Sequence, residues 1–265
     1  MIRILVLCAG AYLLPLTTAA AAELRLVTAE LPPYTFHEPP PTVSEFGTPM
    51  GIVYEVVREM AARVGHSGQI DFTSWMVAQD VAIRGPNVGI LSLTRSPERE
   101  PQYIWAQKIV TDDLVLVGGT GVDVSSLDRV KDRPIGVLAR SGAEALLRSL
   151  GFSRIEPAAE EWMNAEKMRE RRLDAWLAPR LMVIYAYKEV GGNPATLNIG
   201  QIVRQSEIYL AMSKDVAPAE VSRWQEAFRT MADDGTYNRI RARYDRMRVD
   251  PIPDEKRRYG IDWSH

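Results

Sequence analysis

The order in which hydrophobic periods follow one another restricts this chain more than any other feature. Leu24 to Thr28 alternates apolar and polar side chains and ends at Ala29-Glu30-Leu31-Pro32-Pro33, the pattern of a short strand entering a rigid turn. Glu38 to Pro49 reads as a proline-rich loop. From Gly51 to Val64 the period changes: Ile52, Val53, Val56, Val57, Met60, Ala61 and Val64 recur at helical spacing, and Gly65 supplies the stop. Gln69 to Thr73 is again a strand. Strand, helix and strand in this order build an α/β layer with parallel pairing.

Val88 to Leu93 and Ile109 to Val117 continue as apolar strands, and Pro134 to Leu138 opens a second αβ series. It comprises a helix over Ala143 to Leu150 closed by Gly151, a charged helix holding Ala165 to Arg172, and a strand over Leu173 to Leu177. A helix over Pro179 to Val190 and strands over Leu197 to Val203 and Glu207 to Met212 complete it. The remainder is helical, over Ala217 to Asp234 and Thr236 to Met247. Val221, Trp224, Ala227, Phe228, Met231, Tyr237, Ile240 and Tyr244 form apolar stripes there that need a cover. The first αβ unit is the natural cover, so the chain crosses between units twice, near Leu114 to Gly119 and near Arg204 to Met212. The expected fold is therefore α/β, with two α/β lobes joined by two hinge crossings around a cleft. Residues 23-115 and 209-265 form lobe 1, and residues 116-208 form lobe 2.

Residues 1-22 are set aside as a signal peptide. Arg3 precedes the apolar run Ile4 to Leu16, and the small residues Thr17 to Ala22 offer cleavage after Ala20 or Ala22. The run is shorter than the ~20 residues a bilayer span needs, and no later stretch approaches that length. The mature protein is expected to be soluble, periplasmic and monomeric. Cys8 is the only cysteine and leaves with the signal, so no disulfide supports the fold. Leu7 is too bulky for Cys8 to suit a lipidation site. A net charge of −2 gives no basic footprint for nucleic acid or anionic lipid. His37, His66 and His265 lack metal-ligand spacing, and Gly118-Gly119-Thr120-Gly121 lacks the lysine and helix of a phosphate loop. No metal or cofactor is expected.

Ser92-Leu93-Thr94-Arg95-Ser96-Pro97-Glu98-Arg99-Glu100 carries the chemistry. It leaves a strand and enters an expected short helix, with Ser96 suited to the N-cap and Pro97 to the first turn. Such junctions present hydroxyls and free N–H groups to a cleft. Arg99 adds a planar guanidinium suited to a carboxylate. An ordinary helix cap with two solvated arginines has the same local pattern.

These segments, taken in order with Leu31-Pro32-Pro33-Tyr34, Met50-Gly51-Ile52, Arg133 to Val137, Arg172 to Trp176 and the tail Met231 to Tyr244, resemble the family 3 extracellular solute-binding proteins. These mostly serve amino-acid ABC transporters. The resemblance spans nearly all of the mature chain. It implies the type II periplasmic-binding-protein fold, a small polar solute closed between the lobes, and an ABC permease as membrane partner. By position, Arg99 resembles the family's carboxylate-binding arginine, and Ser92 and Thr94 its hydroxyl and carbonyl contacts. Leu31 and Trp75 fall where side chains wall the ligand, and Ser141-Gly142-Ala143-Glu144 is a capping box resembling the second ligand-contacting helix start. The expected ligand-binding set is Arg99, Thr94, Ser92, Leu93, Trp75, Leu31, Tyr34, Ser141, Gly142 and Arg140. Core packing is an alternative for Trp75 and the simpler reading for Tyr34 and Phe36.

One position departs from the family. Amino-acid binders carry an aspartate for the ligand's ammonium group after the segment matching Leu173 to Ala178, whereas this chain has Pro179. Arg140 and Arg180 make that side more basic. A zwitterionic ligand then requires another acid, for which Glu161 is the candidate; a doubly anionic or amine-free ligand is the alternative. An enzyme on the same fold, of dehydratase or lytic-transglycosylase type, would need an acid or base in the cleft, and Glu30, Glu98 and Glu161 are its candidates. A ligand-free interaction or sensor module is the third reading. The expectation is a binding protein and not an enzyme.

Overall fold

The computed structural model describes residues 23–38 and 47–247. The signal segment with Cys8, and most of the proline-rich loop, lie outside the described residues. Strands β1 (Arg25–Thr28), β4 (Ile70–Phe72) and β5 (Val88–Thr94) are mutually parallel, in the order β4-β1-β5. Between β1 and β4 come a short hairpin, β2 (Phe36–Glu38) with β3 (Thr48–Met50), and helix α1 (Ile52–Arg63). The hairpin falls where the sequence predicted only loop. Helix α1 buries Ile52, Val53, Val56, Val57, Met60 and Ala61, the stripe its spacing defines. Gly51 precedes it at φ 122, and a Cβ there would lie 2.3 Å from the Tyr34 carbonyl oxygen, so only glycine fits. Helix α2 (Trp75–Arg84), capped by the Ser74 hydroxyl, was not apparent from the sequence.

A second parallel set consists of β7 (Ile135–Leu138), β8 (Ile155–Ala158) and β9 (Ala175–Pro179), in the order β9-β7-β8. Helices α3 (Gly142–Ser149), α4 (Glu161–Arg169) and α5 (Arg180–Glu189) connect and cover it. Strand β8 was not predicted, and α4 ends at Arg169, so the last three residues of the charged run Ala165 to Arg172 fall outside it.

The two sets are joined by a ribbon of two long antiparallel strands, β6 (Ile104–Gly118) and β10 (Asn198–Met212), each of 15 residues. The sequence divided β10 into two strands at Arg204-Gln205-Ser206. The ladder instead runs through, pairing these residues with Leu114, Asp113 and Asp112. The eight-stranded sheet has the order β4-β1-β5-β10-β6-β9-β7-β8. Helices α6 (Pro218–Asp233) and α7 (Thr236–Met247) return to the first set, where Trp224, Met231, Ile240 and Tyr244 join its hydrophobic core. The other half has separate clusters, one built on Ile135, Val137, Leu147 and Leu177 and the other on Val115, Trp176 and Val183. No described helix is long and apolar enough to cross a membrane.

Register places the working surfaces. Strand β5 meets the ribbon with its carboxyl end at Thr94 opposite Ile208, and β9 meets it from the other side with Pro179 opposite Leu114. Between these points Ser206 pairs with Asp112. The two parallel sets therefore run toward each other, and their carboxyl ends face a common gap over the middle of the ribbon.

Candidate functional site

Ligands of open α/β sheets collect beyond the carboxyl ends of parallel strands, where loops and helix N-termini present unpaired polar groups. Here six such ends converge. Leu31 and Tyr34 follow β1, Trp75 follows β4, and Ser92, Thr94 and Arg99 end or follow β5. Leu138, Ser141, Gly142 and Ala143 come from the end of β7, Glu161 from that of β8, and Pro179 and Met182 from that of β9. Leu114, Arg204 and Ser206 of the ribbon form the floor. The free space is about 40 Å³, room for a few waters but well short of the ~300–1,000 Å³ of small-molecule sites.

The gap is held shut by named contacts. Arg99 donates from Nη2 to the Arg140 carbonyl at 2.8 Å, and Gln79 Nε2 reaches the same oxygen at 3.5 Å. Arg140 spans the mouth to Asp80 at 3.0 Å. Leu138, Leu181 and Met182, from the second half, pack into the first half's core. At the hinge, Asp112 Oδ2 accepts from the Tyr34 hydroxyl at 2.6 Å and from the Leu181 N–H at 2.8 Å. The carboxylate thereby joins the loop after β1 to the N-terminus of α5, where negative charge is favoured.

Arg99 is 8% exposed. Its other donations go to the Thr94 carbonyl and Gln79 Oε1, both at 3.1 Å. Among the described residues no carboxylate lies within ion-pair distance of it. Burial pulls its pKa down to about 10, so it remains a cation at neutral pH. The short helix expected at Ser96-Pro97 does not form; residues 97–102 are successive turns, with the Arg99 N–H bonded to the Ser96 carbonyl at 3.0 Å. These turns aim the guanidinium inward, away from the solvated alternative.

Ser92 lies in a β-bulge, Leu91 and Ser92 opposing Leu210, and has φ 61. Its hydroxyl is 3.3 Å from that of Thr35, which donates to the Ala29 carbonyl and accepts from Thr28. Thr35 has spent its one hydrogen, so Ser92 is the donor and its lone pairs stay available. Across the gap Arg140 also has positive φ, 54. Such backbone costs ~1–3 kcal/mol and clusters where a site fixes the chain's direction. Ser141 caps α3 as expected, accepting from the Glu144 N–H at 3.1 Å, while Glu144 reaches back to the Arg140 N–H at 2.5 Å.

Of the predicted set, Leu31, Tyr34, Trp75, Ser92, Thr94, Arg99, Ser141 and Gly142 line the cavity. The structure does not bring in Leu93, whose fully buried side chain points into the core as strand alternation requires. Arg140 contributes its carbonyl while its side chain turns to Asp80. Trp75 is both core and wall: its Nε1 is buried without a hydrogen-bond partner. Arg180, expected to make the cleft basic, sits 3.6 Å from Asp113 and outside the lining. Sequence reasoning missed Arg204, although a lone arginine inside a hinge strand was a usable signal. Glu161 is 5% exposed, and its Oε2 accepts from Asn164 Nδ2 and Trp176 Nε1, both at 2.9 Å. Burial pushes its pKa up to about 7, against the lowering effect of those two donors. Among the described residues no His, Cys, Asp and Glu group is placed to hold a metal.

The type II periplasmic-binding-protein fold accounts for this architecture, as the sequence resemblance implied. No family model matches the chain, and no curated protein matches it. Solved structures do. A histidine kinase sensor domain with similarity to periplasmic binding proteins superposes with a TM-score of 0.71 at 16% identity, over 84% of this chain and 96% of that one. The GluR0 ligand-binding core from Nostoc punctiforme, in complex with L-glutamate, gives 0.70 at 19%, over 83% and 98%. An ABC uptake transporter substrate-binding protein from Streptococcus pneumoniae with bound histidine gives 0.71 at 15%, over 83% and 91%.

Proposed function

We propose that this chain is an exported solute-binding protein that captures a small carboxylate-bearing polar molecule, an amino acid or a relative of one, by closing two lobes on it. The lobes are residues 23-115 with 209-265, and residues 116-208. The observation that carries this reading is Arg99: a guanidinium removed from water, hydrogen-bonded to neutral oxygens and without an ion-pair partner among the described residues, at the convergence of six strand ends. A buried cation without a counter-charge is costly, and a ligand carboxylate supplies that charge in the geometry a guanidinium fits best. Support comes also from the solutes, glutamate and histidine, held by structures of this fold. A solute touching both lobes stabilises the closed form by its differential affinity for the two states.

The place of action is the periplasm, reached through the signal at residues 1-22, and the partner that reads the closed form is an ABC permease. A sensor role is the second reading, favoured by the histidine kinase sensor domain of the same fold. An enzyme would rest on Glu161, which among the described residues is the one acid in the lining and has no second acid there to share acid and base roles.

The test is a thermal-shift screen across amino acids, dicarboxylates, keto acids and small amines, on wild type and Arg99→Ala. A ligand at one hundred times its Kd stabilises by ~2.7 kcal/mol, and the substitution should remove that gain. A shift that survives Arg99→Ala unchanged overturns the reading. Turnover of cyclohexadienyl acids or glycan fragments would favour the enzyme instead.

A further inference from the structure

We infer that the cleft selects a solute carrying two acidic groups and one ammonium, an acidic amino acid in chemical class, with Arg99 and Arg204 taking the acids and Glu161 the ammonium. This deepens the proposed carboxylate capture and rests on it.

The inference follows from the charges that face one cavity. Its ionisable lining is Tyr34, Arg99, Glu161 and Arg204. Arg204 donates only a long 3.4 Å bond to the Gly142 carbonyl, and among the described residues no carboxylate lies within ion-pair distance of it. Glu98 is outside the lining and is held by the Ser96 hydroxyl. The exposed Glu98 carboxylate acts on both guanidiniums only from beyond ion-pair distance, so two guanidiniums look into the gap with no ion-pair partner among the described residues, and one carboxyl looks in likewise. With Glu161 ionised, the lining carries a net single positive charge. A ligand with two carboxylates and one ammonium carries a net single negative charge and supplies each group with its opposite.

An amine-free dianion also balances the charge if Glu161 keeps its proton. The geometry favours the ammonium. Glu161 Oε2 already accepts from Asn164 and Trp176, an arrangement that suits a carboxylate and opposes the acid. No cation acts on the carboxylate among the described residues, and three of the basic side chains around it are engaged elsewhere. Lys167 of α4 pairs with Glu156 of β8 at 3.1 Å, Arg148 of α3 with Glu144 at 2.6 Å, and Arg180 of α5 approaches Asp113. Pro179, where the resemblance led one to expect an acid, presents a ring to the same cavity. Glu161, which follows the edge strand β8 two strands away from β9, takes over that charge from a different element.

The test is calorimetric titration of the full chain at pH 8 with L-glutamate, L-aspartate, their amine-free analogues glutarate and succinate, and the amides L-glutamine and L-asparagine. One or both acidic amino acids should bind at least about tenfold more tightly than either the amine-free or the amide partner. Glu161→Gln should erase preference over the amine-free partner, and Arg204→Gln preference over the amide, with folding of each checked by circular dichroism. In wild type, affinity for the acidic amino acid should fall as the pH is lowered from 8 to 5, a readout that needs no variant. Tighter binding of glutarate or succinate, an unaltered Glu161→Gln profile, or affinity that rises on acidification overturns the inference. So does silence from all six solutes. In that last case carboxylate capture itself survives only if a monocarboxylate or keto acid still binds in an Arg99-dependent way.

Discussion

The guanidinium of Arg99 and the carbonyl oxygen of Arg140 stand 2.8 Å apart and close the gap between the two halves with one hydrogen bond. The acceptor is main chain, held at φ 54, so no side-chain substitution at position 140 removes it. A ligand carboxylate competes with this oxygen for the same Nη2 and, being charged, wins. Arg99→Lys keeps the charge but not the fork, and should weaken solute binding about tenfold or more in titration. Arg99→Ala should leave no measurable heat.

The Asp80–Arg140 pair at the mouth is half exposed on both sides. Exposed pairs add little to stability and are screened by salt. Asp80→Ala should therefore leave the melting temperature nearly unchanged. It should expand the ligand-free envelope in small-angle scattering, as should raising the salt on wild type. An identical envelope in all three cases would remove this pair from the closure.

Glu161 links stability to pH with a definite sign. Burial raises its pKa from 4.5 to about 7 in the folded chain. The folded state therefore keeps a proton that the unfolded state releases between these values. The contribution is complete below about pH 4.5 and is lost as pH rises through 7, on the order of 3 kcal/mol in all. Urea unfolding of the ligand-free protein should show Glu161→Gln more stable than wild type at pH 8, with the difference shrinking toward pH 5.

Gly51→Ala should cost several kcal/mol in the same assay. The residue has φ 122, and the added methyl would meet the Tyr34 carbonyl at 2.3–2.5 Å and the Thr35 nitrogen at 2.8 Å. The Gly51 N–H also donates to the Tyr244 hydroxyl at 2.9 Å, so the damage should reach the docking of α7.

The layered architecture was legible because α1 and α6 each bury one stripe and the strands β5, β7 and β9 are short apolar runs with glycine or proline at or near their ends. Helix α2 escaped because Trp75, Met76, Val77, Ala78 and Val81 to Ile83 are apolar almost all round, and Met76, Val77 and Ile83 stay exposed. Strand β8, Ile155–Ala158, has too little alternation to register, and its proline argues against a strand. Arg99, Ser92 and Ser141 could be found because their local junctions are chemically distinctive. Glu161 was named from the sequence only as a candidate acid and Arg204 was passed over. That they line one cavity depends on register in the ribbon and on which strand end faces which, relations that no window of sequence contains.

The ribbon also dictates an order of assembly. Both hydrophobic clusters of the second half lie between Leu114 and Val203, so that half is complete within one stretch of chain. The first half is not: its sheet lacks the strand between β5 and β6 until Ile208 to Met212 exist, and its core lacks Trp224 and Met231. A nascent chain therefore carries an unfinished N-terminal sheet for most of its synthesis. Long-range closure of this kind is slow, so the first half is the last part of the molecule to lock.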